Sequence, residues 1–157
     1  MKNEINDYPA PSAGYRDARP RWMVVDNHEG LLNLMALFLS RAGGAVVHRF
    51  QSAEKALAAF RAAPDIWELV LTDLAMPGMD GIELSSHLRV IRPDLKIFLT
   101  TGSGLVTEAE AKELGFCQLL CKPFRFSDLL RMLLAAGATD SSRAANRTSH
   151  TPVGVAA

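Results

Sequence analysis

Cysteine is almost missing from this chain: among 157 residues there are two, Cys117 and Cys121. No second Cys or His pair stands at ligand spacing, so half a metal site is the weaker reading and small buried or edge thiols the stronger. Net charge is missing as well. Seventeen Lys and Arg balance seventeen Asp and Glu, which removes the electrostatic case for nucleic acid or an anionic membrane as partner. No apolar run approaches the roughly 18 to 20 residues of a membrane span. The opening residues, Met1 to Tyr8, lack the apolar core of a signal peptide. Together these absences lead to the expectation of a cytoplasmic protein that works without membrane or nucleic acid.

What is present is a core. Hydrophobic residues make up 48% of the chain, enough for one globular domain with tails. Pro9, Pro11 and Gly14 among polar residues mark 1–19 as a flexible N-terminal arm. Small polar residues from Thr139 onward mark 138–157 as a disordered C-terminal tail. The folded domain is expected over 20–137, and no internal repeat is visible.

Inside it, short apolar runs alternate with helical patterns. Strands are expected at Trp22–Val25, Ala45–His48, Leu69–Leu71, Ile97–Leu99 and Leu119–Cys121. Leu31, Leu34, Met35, Phe38 and Leu39 recur at i, i+3, i+4, i+7 and i+8, an amphipathic helix that Gly43-Gly44 closes. Ser52 caps a helix carrying Ala56, Leu57 and Phe60. Asp80 and Glu83 have capping-box spacing ahead of Leu84, Leu88 and Ile91, and Pro93 prevents continuation. Leu105–Leu114 is a helix with a thin apolar face. Phe126, Leu129, Leu130, Leu133 and Leu134 form the last stripe. Strands that are continuously apolar, alternating with helices, imply a doubly wound parallel sheet covered on both faces.

The carboxyl ends of such strands share one edge, where α/β folds keep their sites. The first strand ends in Asp26-Asn27-His28-Glu29 and the third in Asp73, followed by a Met76-Pro77-Gly78 turn. The fourth ends in Thr100-Thr101-Gly102, the fifth in Lys122-Pro123-Phe124. Two carboxylates, an amide, a hydroxyl and an ammonium converge. Clustered oxygen ligands suit Mg2+, a carboxylate beside that ion can attack phosphorus, and Lys and a hydroxyl can bind phosphoryl oxygens. Taken singly, Asp73 reads as a turn or helix cap, Lys122 as a solvated surface residue and Thr101 as a turn residue. Four strand ends together favour the site. His28 reads as a loop histidine and His48 and His87 as surface or boundary residues.

These residues resemble the receiver domain of two-component response regulators, of the single-domain type. The motifs are Val24-Val25-Asp26-Asn27, Asp73 with Met76-Pro77-Gly78-Met79-Asp80-Gly81, Thr101-Gly102 and Lys122-Pro123-Phe124. The resemblance implies a flavodoxin-like (βα)5 fold with strand order 2-1-3-4-5. It implies that Asp73 accepts a phosphoryl group from a sensor histidine kinase or histidine phosphotransfer protein. Mg2+ would be held by Asp26, Asn27, Asp73 and the backbone carbonyl of Ala75. Thr101 would bind a phosphoryl oxygen and report phosphorylation. Thr100 competes for that role, and the usual family spacing from Asp73 favours Thr101. Lys122 would pair with Asp73 or its phosphate, and the Lys122–Pro123 bond is one the family often keeps cis. A downstream protein would be met through the helix 4–strand 5–helix 5 face, and a homodimer is compatible. The protein would not be an enzyme, beyond phosphorylating and dephosphorylating itself at Asp73.

Two positions depart from the family pattern. Asn27 stands where a second Asp is usual, which weakens the negative field for Mg2+ but also its repulsion of phosphate; Glu29 is a possible compensating acid, or simply an acid favoured at a helix start. Leu119 stands near a customary switching aromatic. These departures support an alternative, a degenerate receiver that binds protein independently of phosphate. A phosphatase resembling the haloacid dehalogenase type ranks lower, since the position two after Asp26 is His28 rather than an acid.

Overall fold

The computed structural model describes residues 19–102 and 104–137. The expected tail, and the expected arm apart from Arg19, lie outside the described residues. Five parallel strands, β1 (Arg21–Val25), β2 (Val46–Phe50), β3 (Trp67–Asp73), β4 (Lys96–Gly102) and β5 (Gln118–Lys122), form one sheet in the order β2-β1-β3-β4-β5. They alternate with α1 (Glu29–Gly43), α2 (Ala53–Ala62), α3 (Gly81–Ile91), α4 (Glu108–Glu113) and α5 (Phe126–Ala135). This is the flavodoxin-like receiver fold expected from the motifs. Parallel strands need crossovers, and the helices supply them on both faces. Among the described residues no helix is long and apolar enough to cross a membrane.

The sheet divides the core in two. Met23, Val25, Val70, Ile97 and Leu99 face α2, α3 and α4, where Leu57, Phe60, Leu84, Leu88 and Ala111 cover them. Trp22, Val24, Leu69, Leu71, Phe98 and Leu120 face α1 and α5, covered by Leu32, Met35, Leu39, Leu129, Met132 and Leu133. The outer strands differ from the inner ones: most of β2 is only half-buried, and Gln118 and Cys121 of β5 are exposed. Cys117 is exposed too, which places both thiols at the sheet's edge.

Two helical stripes sit differently from the sequence expectation. In α1 the buried residues are Leu32, Met35, Ala36, Leu39 and Gly43, whereas Leu34 is exposed. Gly43 sets this rotation. A Cβ there would lie 2.0 Å from the Trp22 ring, so the helix rests directly on the indole and turns Leu32 inward. In α5, Met132 is buried in place of Leu130 and Leu134, and Phe126 stacks on Phe38 of α1 with ring centroids 4.8 Å apart. Both helices carry more apolar residues than one face can bury, so periodicity alone leaves their rotation undecided. α4 is shorter than expected, because Thr107 and Glu110 close a capping box only at Glu108 and Ala111 alone is buried.

The capping box at α3 forms as its spacing requires. Asp80 accepts from the N–H groups of Ile82 and Glu83, both at 2.8 Å, and Glu83 accepts from Asp80 N–H at 3.2 Å. Asp80→Ala is expected to cost about 1 kcal/mol, read as a lowered urea midpoint with an unchanged slope.

Candidate functional site

Side chains along a strand alternate between the two faces. Counting by two from the core residues on the α1–α5 side gives Val24 to Asp26, Leu71 to Asp73, Phe98 to Thr100 and Leu120 to Lys122. These four arrive at the carboxyl edge with the same parity. Thr101 follows Leu99 and has the parity of the opposite core. The register brings the ends level, with Asp73 beside Thr100 and Gly102 beside Lys122.

The result is a compact charged cluster. Asp26 is 0% exposed and Asp73 5%. Lys122 Nζ lies 2.8 Å from Asp26 Oδ2 and 2.8 Å from Asp73 Oδ1, so one ammonium bridges two nearly buried carboxylates. Asp26 Oδ1 accepts from the His28 N–H at 2.7 Å, and the Asp26 N–H donates to the Phe50 carbonyl at 3.0 Å. Burial lowers the Lys122 pKa, but its hydrogen bonds and charge attraction to Asp26 and Asp73 outweigh burial and leave it raised above 10.5. The ammonium is therefore charged at neutral pH.

Of the two candidate hydroxyls, Thr100 is the one in contact with the acid. Its Oγ1 lies 3.2 Å from Asp73 Oδ1, while Thr101 Oγ1 donates to the Gly102 carbonyl at 3.0 Å. Strand parity accounts for the difference: Thr100, two residues after Phe98, shares the parity of Asp73, and Thr101 does not. Asn27, His28, Glu29 and Ala75 are exposed around the cluster, His28 as the residue preceding α1. Leu119 is half-buried against the α2–α4 core and Phe124 against the other. The Lys122–Pro123 peptide is cis.

The loop after Asp73 is held by a residue that the sequence reading did not single out. Glu54, in the first turn of α2, accepts from the Met79 N–H at 3.0 Å and from the Ser52 hydroxyl at 2.7 Å. The Ser52 hydroxyl, then the N–H groups of Glu54 itself and Met79, hold its carboxyl below the usual range. Gly78, at φ +77°, brings the loop against this carboxylate, where a Cβ would stand 2.6 Å from Oε1. Further on, Gly81 packs so closely that a Cβ would stand 2.3 Å from the Asp73 carbonyl oxygen. Helix α3 thus starts directly against the acid's own backbone.

The donors at this edge are oxygens: two carboxylates, an amide at Asn27 and the carbonyl of Ala75. That chemistry fits a hard cation such as Mg2+. Among the described residues no three His, Cys, Asp or Glu gather as a ready-made metal cluster, so a cation held here would draw on amide and backbone oxygens as well as the carboxylates. An open groove of about 500 Å3, lined by Leu31, Gly102, Lys122, Pro123 and Phe124, adjoins the ammonium.

Comparison with known proteins converges on one family. The family described as Response regulator receiver domain matches residues 22–134. The response regulator receiver protein CpdR of Brucella abortus is 33% identical over 121 residues, which cover 74% of this chain and 98% of the relative. The C4-dicarboxylate transport transcriptional regulatory protein DctD of Rhizobium meliloti is 35% identical over 115 residues. The match takes in 73% of this chain but only 24% of DctD, so the chain spans about a quarter of that relative. Among solved structures, a response regulator receiver protein from Pseudomonas putida superposes with a TM-score of 0.64 at 29% identity, covering 74% of this chain and 96% of the other.

Proposed function

The chain belongs to the response regulator receiver family, and from that premise we propose that it is a stand-alone phospho-receiver of two-component signalling in the cytoplasm. Asp73 accepts a phosphoryl group from the phosphohistidine of a sensor kinase or phosphotransfer protein. The product is read by a downstream protein through α4, β5 and α5. The observation that carries this reading is the Lys122 ammonium set 2.8 Å from both Asp26 and Asp73. A carboxylate so held is fixed in place and backed by a cation that can follow charge onto a phosphoryl oxygen. The likeness to CpdR, whose length the match nearly fills, supports a receiver acting without an attached effector.

Each residue has a part in the transfer. An oxygen of Asp73 forms the new bond to phosphorus as the phosphorus–nitrogen bond of the donor breaks. Lys122 keeps Asp73 oriented and then attracts the phosphoryl group. Thr101 turns its hydroxyl from Gly102 to a phosphoryl oxygen, which couples the end of β4 to the chemistry. Asp26, Asn27, Asp73 and the Ala75 carbonyl would hold Mg2+, which offsets the charge of the phosphoryl oxygens when bound.

The test is titration with Mg2+ and beryllofluoride, an acyl-phosphate mimic, followed by amide NMR. Saturable shifts at Asp73, Thr101 and Lys122 are expected. No response at millimolar Mg2+ would favour the second reading, a receiver that binds protein constitutively, for which Asn27 in place of an acid is the motive. Asn27→Asp is expected to tighten Mg2+ about three- to tenfold, less than a buried charge would give because the position is exposed to screening. Unchanged affinity would mean that Glu29 or the loop geometry already compensates.

A further inference from the structure

We infer that the Thr100 hydroxyl is a catalytic group for dephosphorylation: by donating to Asp73 Oδ1 it makes Asp73 a better leaving group and shortens the life of the acyl phosphate. The inference rests on Asp73 being the phospho-acceptor.

Thr100 is 0% exposed, so its hydroxyl must find its partner inside the protein. One proton faces two acceptors, Asp73 Oδ1 at 3.2 Å and the Thr72 carbonyl at 3.4 Å. The carboxylate is both nearer and charged, and charged acceptors bind about twice as strongly. Oδ1 thereby carries two donors, Thr100 and Lys122. No hydrogen bond from a described residue reaches Oδ2, which is left as the oxygen that bonds phosphorus. In the phosphorylated protein Oδ1 is the acyl carbonyl oxygen and Oδ2 bridges to phosphorus.

The same contact acts in opposite senses in the two directions. During phosphorylation, charge leaves Oδ1 as Oδ2 bonds phosphorus, and the hydrogen bond weakens. During hydrolysis, a water oxygen bonds phosphorus, the Oδ2–phosphorus bond breaks, and its electron pair returns to the carboxyl, shared between Oδ2 and Oδ1. The water proton passes to solvent and orthophosphate departs. Charge builds on Oδ1 as that bond breaks, so a donor already aimed there stabilises the transition state over the acyl phosphate. Thr100 also has the opposite strand parity to Thr101, so the two neighbouring hydroxyls approach different parts of the group: Thr100 the carboxyl, Thr101 the phosphoryl oxygens.

The experiment labels the full chain and its Thr100→Val and Thr100→Ser variants with radioactive phosphoramidate, removes the donor, and follows loss of label in Mg2+ and in EDTA. Valine keeps the branched shape and removes the hydroxyl. The expected result is a label lifetime about 5- to 20-fold longer in Thr100→Val, with wild-type decay restored in Thr100→Ser. The lengthening should persist in EDTA, because the contact is the protein's own. Wild-type decay in Thr100→Val overturns the proposal, and so does slow decay in Thr100→Ser, which would trace the effect to packing. If valine is not tolerated at this buried site, Thr100→Ala removes the same hydroxyl at smaller volume and must show the same lengthening. Failure of wild type to label at all overturns the acceptor assignment itself, a different result from label that decays unchanged.

Discussion

Asp73→Asn loses phosphoryl incorporation from a small-molecule donor by at least about 10³-fold, the scale set by removal of other catalytic nucleophiles. An amide nitrogen or oxygen in that place has no full negative charge with which to form an acyl phosphate. The variant should still fold. Asn has nearly the shape of Asp, its carbonyl can accept from Thr100 and Lys122, and Asp26 still pairs with the ammonium at 2.8 Å. Loss of label with an unchanged amide spectrum away from the site is the expected pair of results. Retained label would move the acceptor elsewhere. Asp26 would be the first alternative, since it is the other nearly buried acid that Lys122 holds.

The second large effect concerns stability rather than chemistry. Lys122→Met is expected to destabilise the protein by about 3 kcal/mol at pH 7, because it leaves two nearly buried carboxylates facing one another without their shared cation. Methionine preserves much of the side-chain volume, so the loss reports charge more than packing. Mg2+ should recover much of the deficit, since a cation bound to the same oxygens replaces the missing charge. The pH dependence follows from the raised Lys122 pKa. A group whose pKa is higher folded than unfolded gives its full stabilisation below the unfolded value and loses it as pH rises through the folded value. The gap between wild type and variant should therefore be constant near neutrality and close only above about pH 10.5. Urea denaturation with Mg2+ and with EDTA, at neutral and alkaline pH, measures both terms. A deficit indifferent to Mg2+ would mean that the lysine acts mainly through its packed stem.

The two predictions draw on different information. The first was legible in the chain: an apolar run ending in a single carboxylate before Met76-Pro77-Gly78 announces an acid at a strand's carboxyl edge. The second needed the fold. Asp26 and Lys122 are 96 residues apart, and nothing local says that one ammonium meets both acids at the same distance. Glu54 is a similar case. Its hydrogen bond to Met79 spans 25 residues, and in sequence it is only an acid in the first turn of a helix. Local patterns also left helix rotation open, since α1 and α5 each offer two plausible apolar stripes and Gly43 against Trp22 decides one of them.

The sequence by itself determined the order of strands and helices, the capping box at Asp80 and Glu83, and the residues brought to one edge of the sheet. Those features depend on periodicity, capping and turn chemistry within a few neighbouring residues. Only the tertiary structure decided that Thr100 touches Asp73, that Lys122 bridges two acids, and that Glu54 holds the loop after Asp73. These contacts depend on strand register and on how each helix seats on the sheet, both set by packing between segments distant in the chain.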